Sequence, residues 1–149
     1  MIQNVKKVLA PIDFSDLSME AMRSAWELAR DLGAEMHIVH VVAPHHKFLL
    51  EQASTELTRE AALVGQTEEE LARIKKTEFG NSAKVFTAVI TGPPAVKLCE
   101  YAKQNQIDLI LLATHGHTGA EVLLIGSVAE KVARLAPCSV LVYRRPAHR

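Results

Sequence analysis

Short runs of apolar residues alternate along the chain with longer segments in which apolar residues recur every three or four positions. The runs are rich in Val, Ile and Leu and stop at turn-forming residues, which is typical of buried strands, whereas a period of three to four is typical of helices. The five runs that we interpret as strands are 5–12, 36–42, 83–90, 107–113 and 139–143. The pattern therefore predicts that strands and helices alternate.

The first helix and the last two have clear sequence signals at their ends. Ser15 or Asp16 can cap a helix over Asp16–Leu32 that Gly33 ends. The turn Gly92-Pro93-Pro94 suits the start of a helix, because proline is tolerated in a first turn whose amides have no helical partner. A glycine-containing loop precedes the last predicted helix, Ser127–Leu135.

The second helical segment, 48–79, is the longest, and its sequence contains what looks like a break. Gly65 is expected to interrupt the helix, since glycine is a poor helix former. Thr67 and Glu70 have the spacing of a capping box, which would restart it. The pattern therefore predicts two helical pieces here.

Five strands alternating with helices imply right-handed crossovers and a parallel sheet covered on both faces. This also explains why the strands are largely continuous apolar runs instead of a regular alternation of apolar and polar residues. We expect a single α/β domain over 1–149, with a doubly wound, open, parallel five-stranded sheet in the order 3-2-1-4-5.

Composition narrows the class of protein. The 149 residues contain 17 Lys+Arg and 17 Asp+Glu, which argues against a nucleic-acid binder or a protein that coats anionic membranes. The sequence contains no apolar run near the roughly 18 residues of a spanning helix and begins with no signal-peptide pattern, so we expect a cytoplasmic protein. Cys99 and Cys138 form no CxxC pair, and both are expected to be core thiols.

Ligands of open parallel sheets bind beyond the carboxyl ends of the strands, where the winding direction reverses. The candidate ligand-binding segments are therefore those that follow the first, second and fourth strands, 11–15, 41–43 and 113–117. The last of these leads to Gly126-Ser127 at a helix start, where unpaired amides and the helix dipole favour an anion. Glycine at 126 would also let the backbone approach a phosphate closely.

The chain resembles the universal stress protein family from about residue 7 to residue 144. The resemblance is carried by VLAPIDFSDLS at 8–18, IVHVV at 38–42 and the segment 113–144. The nucleotide-binding branch of the family has Gly, two residues, Gly, nine residues, then Gly and Ser or Thr. This chain has Gly116, nine residues and Gly126-Ser127, but Ala113 replaces the first glycine. Alanine is the smallest replacement, so we expect it to be tolerated.

The resemblance implies a Rossmann-like fold of the adenine nucleotide alpha hydrolase type, with ATP bound together with Mg²⁺ or Mn²⁺. It places adenine against the backbone of Val41 and the phosphates beside the loop that starts helix 127–135. It also implies a homodimer that pairs through the last strand, Ser139–Tyr143, which would cover an exposed apolar edge. The nucleotide-binding residues implied in this way are Pro11, Ile12, Asp13, Val41, Ala113, His115, Gly116, His117, Gly126, Ser127 and Val128.

Three functions remain open at the level of sequence. The first is an ATP-binding sensor or switch in a stress response, in which occupancy changes the loop 114–126. The second is a dimeric interaction or protective module of the same fold without a nucleotide, which Ala113 would favour. The third is a slow ATPase, although no Lys or Arg lies between Thr114 and Ser127 to stabilise charge during phosphoryl transfer.

Other chemistries find little support in the sequence. The sequence contains no G-x-S-x-G elbow, no P-loop and no G-x-G-x-x-G after the first strand. His45, His46, His115 and His117 could suggest a transition-metal site, but no cysteine or carboxylate has the spacing to complete a ligand set. We expect no catalytic or metal-binding residues.

Overall fold

The computed structural model of the protein describes residues 4–43, 53–115 and 125–147, with the side chains of 53–57 excepted. Strands and helices alternate along these segments as predicted. The strands are β1 (Lys7–Pro11), β2 (Glu35–Val42), β3 (Val85–Thr91), β4 (Leu109–Ala113) and β5 (Ser139–Tyr143). The helices are α1 (Asp16–Leu32), α2 (Ala53–Phe79), α3 (Pro94–Gln104) and α4 (Ser127–Leu135).

The five strands form one parallel sheet in the order β3-β2-β1-β4-β5, which confirms the predicted doubly wound fold. β1 is central, and it pairs with β2 on one side and with β4 on the other. The chain winds from β1 through β2 to β3 on one side and then crosses over to β4 and β5 on the other side, so the winding direction reverses at β1. The carboxyl ends of β1 and β4 therefore flank the switch point of the sheet.

Two apolar layers hold the helices on opposite faces of the sheet. One layer joins α1 and α2 to the sheet around Met22, Met36 and Leu71, and the other joins α3 and α4 to it around Leu9 and Ile110. Adjacent residues of β1 contribute to different layers, since successive side chains of a strand point to opposite faces. This double burial is why the strands are mostly apolar, with polar residues such as Lys7 and Glu35 at strand ends.

The bounds predicted for α1, α4 and β5 are those observed. In α1 the Ser15 hydroxyl caps the helix by accepting from the Ser18 N–H at 3.3 Å. Gly33 ends it in the left-handed conformation, φ 67°, and donates to Arg30 O at 3.1 Å. The other strands differ from their predicted ends by at most two residues.

The predicted break in the second helix is wrong. Helix α2 runs without interruption from Ala53 through Gly65 to Phe79. The Thr67 hydroxyl does not cap a new helix but donates to Leu63 O, one turn earlier, at 2.7 Å. Glycine inside a helix costs only about 1 kcal/mol relative to alanine, and burial of Leu71 against the sheet outweighs that cost.

Within residues 4–43, 53–115 and 125–147, none of the helices combines the length and the apolar character that a membrane span requires.

Candidate functional site

A crevice of about 350 Å³ opens at the carboxyl end of the sheet, at the switch point between β1 and β4. Small-molecule pockets generally have volumes of roughly 300–1,000 Å³, so the crevice can hold part or all of a small ligand. Its described walls come from β1, β2, β4 and the first turns of α1, α3 and α4. The lining residues are Pro11, Ile12, Asp13, Ser18, Val39, His40, Val41, Pro94, Leu98, Leu112, Ala113, His115, Gly126, Ser127, Val128 and Ala129.

One wall contains the carboxylate of Asp13, directly after β1. Its Oδ1 accepts from the Ser15 N–H at 3.0 Å and from the Ser15 hydroxyl at 2.5 Å. The Asp13 N–H in turn donates to Ser18 Oγ at 3.3 Å. Ser18 is 4% exposed and lies in the first turn of α1. Its hydroxyl therefore ties the turn between β1 and α1 to the helix.

The end of β2 forms the adjoining wall, with Val41 next to His40. The His40 Nδ1 lies 2.8 Å from Ile12 O, and since a carbonyl only accepts, Nδ1 carries the proton. The imidazole also lies against the ring of Phe14, with 4.9 Å between the ring centroids. His40 therefore joins the end of β2 to the turn that contains Asp13.

The inner part of the crevice is apolar. Val39, Leu98 and Leu112 are buried there and belong to the layer between the sheet and helices α3 and α4. Pro94, the first residue of α3, and Ala113, the last of β4, complete this apolar part. An apolar interior with few polar groups at its margin suits a flat, weakly polar ring.

The start of α4 forms the remaining described wall. Gly126 is the N-cap and offers no side chain to the amides that follow it. The N–H groups of Ser127, Val128 and Ala129 lie in the first turn, where a helix supplies no acceptor for them. These amides and the positive end of the helix dipole line the crevice, so this end of the crevice favours an anion.

Gly126 also lies close to the end of β4. Its N–H donates to Thr114 O at 2.6 Å, and a Cβ at this position would lie 3.1 Å from that oxygen and 3.2 Å from His115 Cα. The space beside the glycine is therefore filled by the backbone of the preceding loop. The Thr114 N–H donates to Tyr143 O at 3.0 Å, which ties the start of this loop to β5.

Nine of the eleven site residues predicted from sequence lie together in this crevice: Pro11, Ile12, Asp13, Val41, Ala113, His115, Gly126, Ser127 and Val128. The other two, Gly116 and His117, lie outside the described residues, as do His45 and His46. Among the residues that the structure describes, no three His, Cys, Asp or Glu side chains form a group that could hold a metal ion.

Sequence reasoning missed several lining residues. His40 is not among the residues predicted from sequence, although its position beside Val41 at the end of β2 is a signal that could have identified it. Pro94 and Leu98 lie in α3, after the third strand, whereas the site residues were predicted from the ends of the first, second and fourth strands. The turn after the third strand leads into the same crevice.

The other strand histidine, His37, belongs to a separate polar cluster near the start of β2. It is buried, its Nδ1 lies 2.7 Å from the Tyr101 hydroxyl and its Nε2 lies 3.1 Å from Glu35 Oε1. The hydrogen bond from His37, opposed by desolvation and aided by the charge of Lys7, lowers the pKa of Glu35. Burial, followed by the charge of Glu35, raises the pKa of Tyr101.

The chain is similar to known proteins over most of its length. The sequence profile of the universal stress protein family matches residues 4–144. Universal stress protein MJ0531 of Methanocaldococcus jannaschii is 37% identical over 142 residues, which cover 95% of this chain and 83% of the relative.

Solved structures have the same fold. Universal stress protein UspA from Lactobacillus plantarum superposes with a TM-score of 0.83 at 24% identity, over 94% of this chain and 98% of the other. A universal stress protein from Archaeoglobus fulgidus, solved in complex with dAMP, has a TM-score of 0.61 at 18% identity, over 97% and 100% of the two chains. From the profile match and the identity to MJ0531, the chain belongs to the universal stress protein family.

Proposed function

We propose that this protein is a cytoplasmic, nucleotide-binding sensor or switch of the stress response, with ATP as its ligand in the crevice. The observation that supports this most directly is the combination of two unlike surfaces in one cavity. Its interior is apolar, and its margin contains the first amides of α4. An adenine nucleotide has the matching combination of a flat ring and an anion.

In this proposal the adenine ring lies against the backbone of Val41 and among the apolar residues near it. Pro11, Ile12 and the Asp13 carboxylate contact the adenine and the ribose. The arrangement is supported by the position of these residues around one cavity. Ala113 lines the same cavity and adds only a methyl group to its wall, so the departure from the family pattern is compatible with binding.

The phosphates bind at the start of α4, where Gly126, Ser127 and Val128 offer backbone amides and the Ser127 hydroxyl adds a donor. His115 lies at the same margin. Gly116 and His117 complete the proposed phosphate site but lie outside the described residues. Mg²⁺ or Mn²⁺ would bind to the phosphate oxygens and balance their charge, and Asp13 is the one acidic residue among the described lining residues.

The fit of these residues to a phosphate is supported by the packing at Gly126. A Cβ at position 126 would meet Thr114 O and His115 Cα, so glycine lets the start of α4 lie close against the end of β4, and this packing holds the first amides of α4 in place beside the crevice. The protein's own contribution to binding is therefore a fixed set of donors. Preorganised donors bind an anion without the cost of ordering them first.

We also propose a homodimer that forms through β5. Among the strands that the structure describes, β5 pairs only with β4, so it is at an edge of the sheet. Its central residue, Leu141, is 41% exposed. Pairing of two β5 strands would supply hydrogen-bond partners for the backbone groups at the open edge and would cover the Leu141 side chain. Light scattering should give twice the chain mass for the wild type and the chain mass for Leu141→Lys.

Co-purified ligand is the decisive test of nucleotide binding. Small molecules are released by heating the purified protein and identified by mass spectrometry, and the stripped protein is then titrated with ATP, AMP and cyclic AMP. We expect an adenine nucleotide in the extract and saturable binding in the titration. A Gly126→Val variant should bind ATP at least tenfold more weakly than the wild type. Gly65→Ala, inside α2 and outside the described lining of the crevice, should bind ATP as the wild type does. Absence of a nucleotide from both assays would leave the ligand-free interaction module as the function.

A further inference from the structure

The turn between β1 and α1 places one serine hydroxyl between two groups. The Ser15 hydroxyl donates to Asp13 Oδ1 at 2.5 Å and accepts from the Ser18 N–H at 3.3 Å. The first contact orients a crevice carboxylate, and the second caps helix α1. Ser15 itself is not among the described residues that line the crevice.

The rest of the turn is held in place by contacts within the protein. Phe14 adopts a left-handed backbone conformation, φ 65°, which is uncommon for a residue with a side chain and persists only where the surroundings enforce it. Its ring lies on His40, whose Nδ1–H donates to Ile12 O. The Ser18 hydroxyl donates to Ser15 O at 3.0 Å and closes the turn from the helix side.

We propose that Ser15 is a positioning residue for nucleotide binding: its hydroxyl fixes the Asp13 carboxylate in the orientation that meets the ligand. This rests on the function proposed above. A carboxylate accepts hydrogen bonds only, so it can be held by donors such as the Ser15 O–H and N–H. A charged acceptor makes such bonds strong, and holding it in one rotamer removes the cost of ordering it on binding.

The two roles of the hydroxyl can be separated by substitution. Ser15→Thr keeps both donation and capping. Ser15→Asp keeps the cap, because aspartate is a good N-cap residue, and it keeps the backbone N–H that donates to Asp13, but its side chain cannot donate and places a second negative charge beside Asp13. Ser15→Ala loses both. If Ser15 has a purely structural role, every variant that keeps the cap should keep ATP binding. If Ser15 positions Asp13, only variants that keep the side-chain donor should keep it.

Binding and stability are measured on the full chain, by ATP titration and by thermal unfolding. Relative to the wild type, we expect Ser15→Thr to bind within about twofold and Ser15→Ala to bind about tenfold more weakly, the range for loss of a hydrogen bond to a charged group. Ser15→Asp should unfold near the wild-type temperature and still bind at least tenfold more weakly. Wild-type affinity in Ser15→Asp would overturn the proposal.

A double-mutant cycle tests whether Ser15 acts through Asp13. In an Asp13→Asn background, Ser15→Ala should weaken ATP binding by less than about twofold, because the group that it positions is already altered. Additive losses would show that Ser15 acts independently of Asp13 and would refute positioning.

A measurement without nucleotide keeps this inference separate from the proposed function. The side-chain rotamer of Asp13 is determined by NMR coupling constants in the ligand-free protein. We expect one rotamer in the wild type and Ser15→Thr, and averaging in Ser15→Ala and Ser15→Asp. One rotamer in all four proteins would overturn the positioning role. If the wild type fails to bind any adenine nucleotide while Asp13 still responds to Ser15, the proposed function fails and the positioning of the carboxylate stands.

Discussion

Replacement of Gly126 by alanine tests the packing that creates the anion-binding end of the crevice. The backbone of Gly126 is extended, φ −63° and ψ 161°, so alanine meets no conformational barrier there. The added methyl carbon would lie 3.1 Å from Thr114 O and 3.2 Å from His115 Cα. Both are backbone atoms, which cannot rotate away, and they must move by a few tenths of an ångström together with the Thr114 O to Gly126 N hydrogen bond.

The expected loss of stability follows from two opposing effects. Overpacking of this kind costs about 1–3 kcal/mol. Replacing glycine by alanine reduces the entropy of the unfolded chain and returns about 0.4–1 kcal/mol. We therefore expect Gly126→Ala to lower the free energy of unfolding by about 1 kcal/mol, or roughly 2–4 °C in Tm for a chain of this length.

Gly65→Ala is the matched control because it makes the same chemical change in open space. Gly65 lies inside α2, and no heavy atom outside its own turn lies within 4 Å of a Cβ built there. Alanine is favoured over glycine in a helix interior by about 1 kcal/mol, so this variant should be more stable than the wild type. The two substitutions should therefore change stability in opposite directions.

Urea unfolding followed by circular dichroism and by the fluorescence of Trp26 measures both variants. Trp26 is the one tryptophan, and it packs edge-on against Phe79 with 5.5 Å between ring centroids, so its emission reports on the layer beneath α2. ATP binding should also weaken in Gly126→Ala and not in Gly65→Ala. Equal stabilisation by both alanines would refute the close packing of Gly126 against residues 114 and 115.

Three further outcomes are expected. The pKa of Glu35 is lowered from about 4.5 in the fold, so its carboxylate stabilises the protein above about pH 4.5, and this contribution is lost as the pH falls through the lowered pKa. The difference in unfolding free energy between the wild type and Glu35→Gln should shrink over that range, and a constant difference would contradict this prediction. Burial raises the pKa values of Cys99 and Cys138, so both thiols should react slowly with a disulfide reagent at pH 8 and rapidly in urea, and fast reaction of the folded protein would show that they are accessible. Leu9 is fully buried, and Leu9→Ala should cost about 3 kcal/mol in urea unfolding, with a loss below about 1 kcal/mol arguing against tight packing there.

Local sequence signals were sufficient to predict helix ends that depend on interactions between residues a few positions apart. Helices α1 and α4 begin and end at the predicted residues because their apolar stripes and flanking residues act within a few positions. The same local reasoning failed at Gly65. A poor helix former was taken as a break, but the apolar residues beyond it, such as Leu71, bind the whole helix to the sheet. Tertiary burial outweighs a propensity of about 1 kcal/mol.

The order of elements, the parallel sheet and the edge at which a site would form all follow from the sequence, because alternation and right-handed crossovers leave few topologies. It also predicted that the segments after the first, second and fourth strands converge. Only the tertiary structure brought His40, Pro94 and Leu98 into the crevice and set the Ser15 hydroxyl on Asp13. Those contacts depend on which way each side chain points and on how distant helices pack, and neither is encoded in local periodicity.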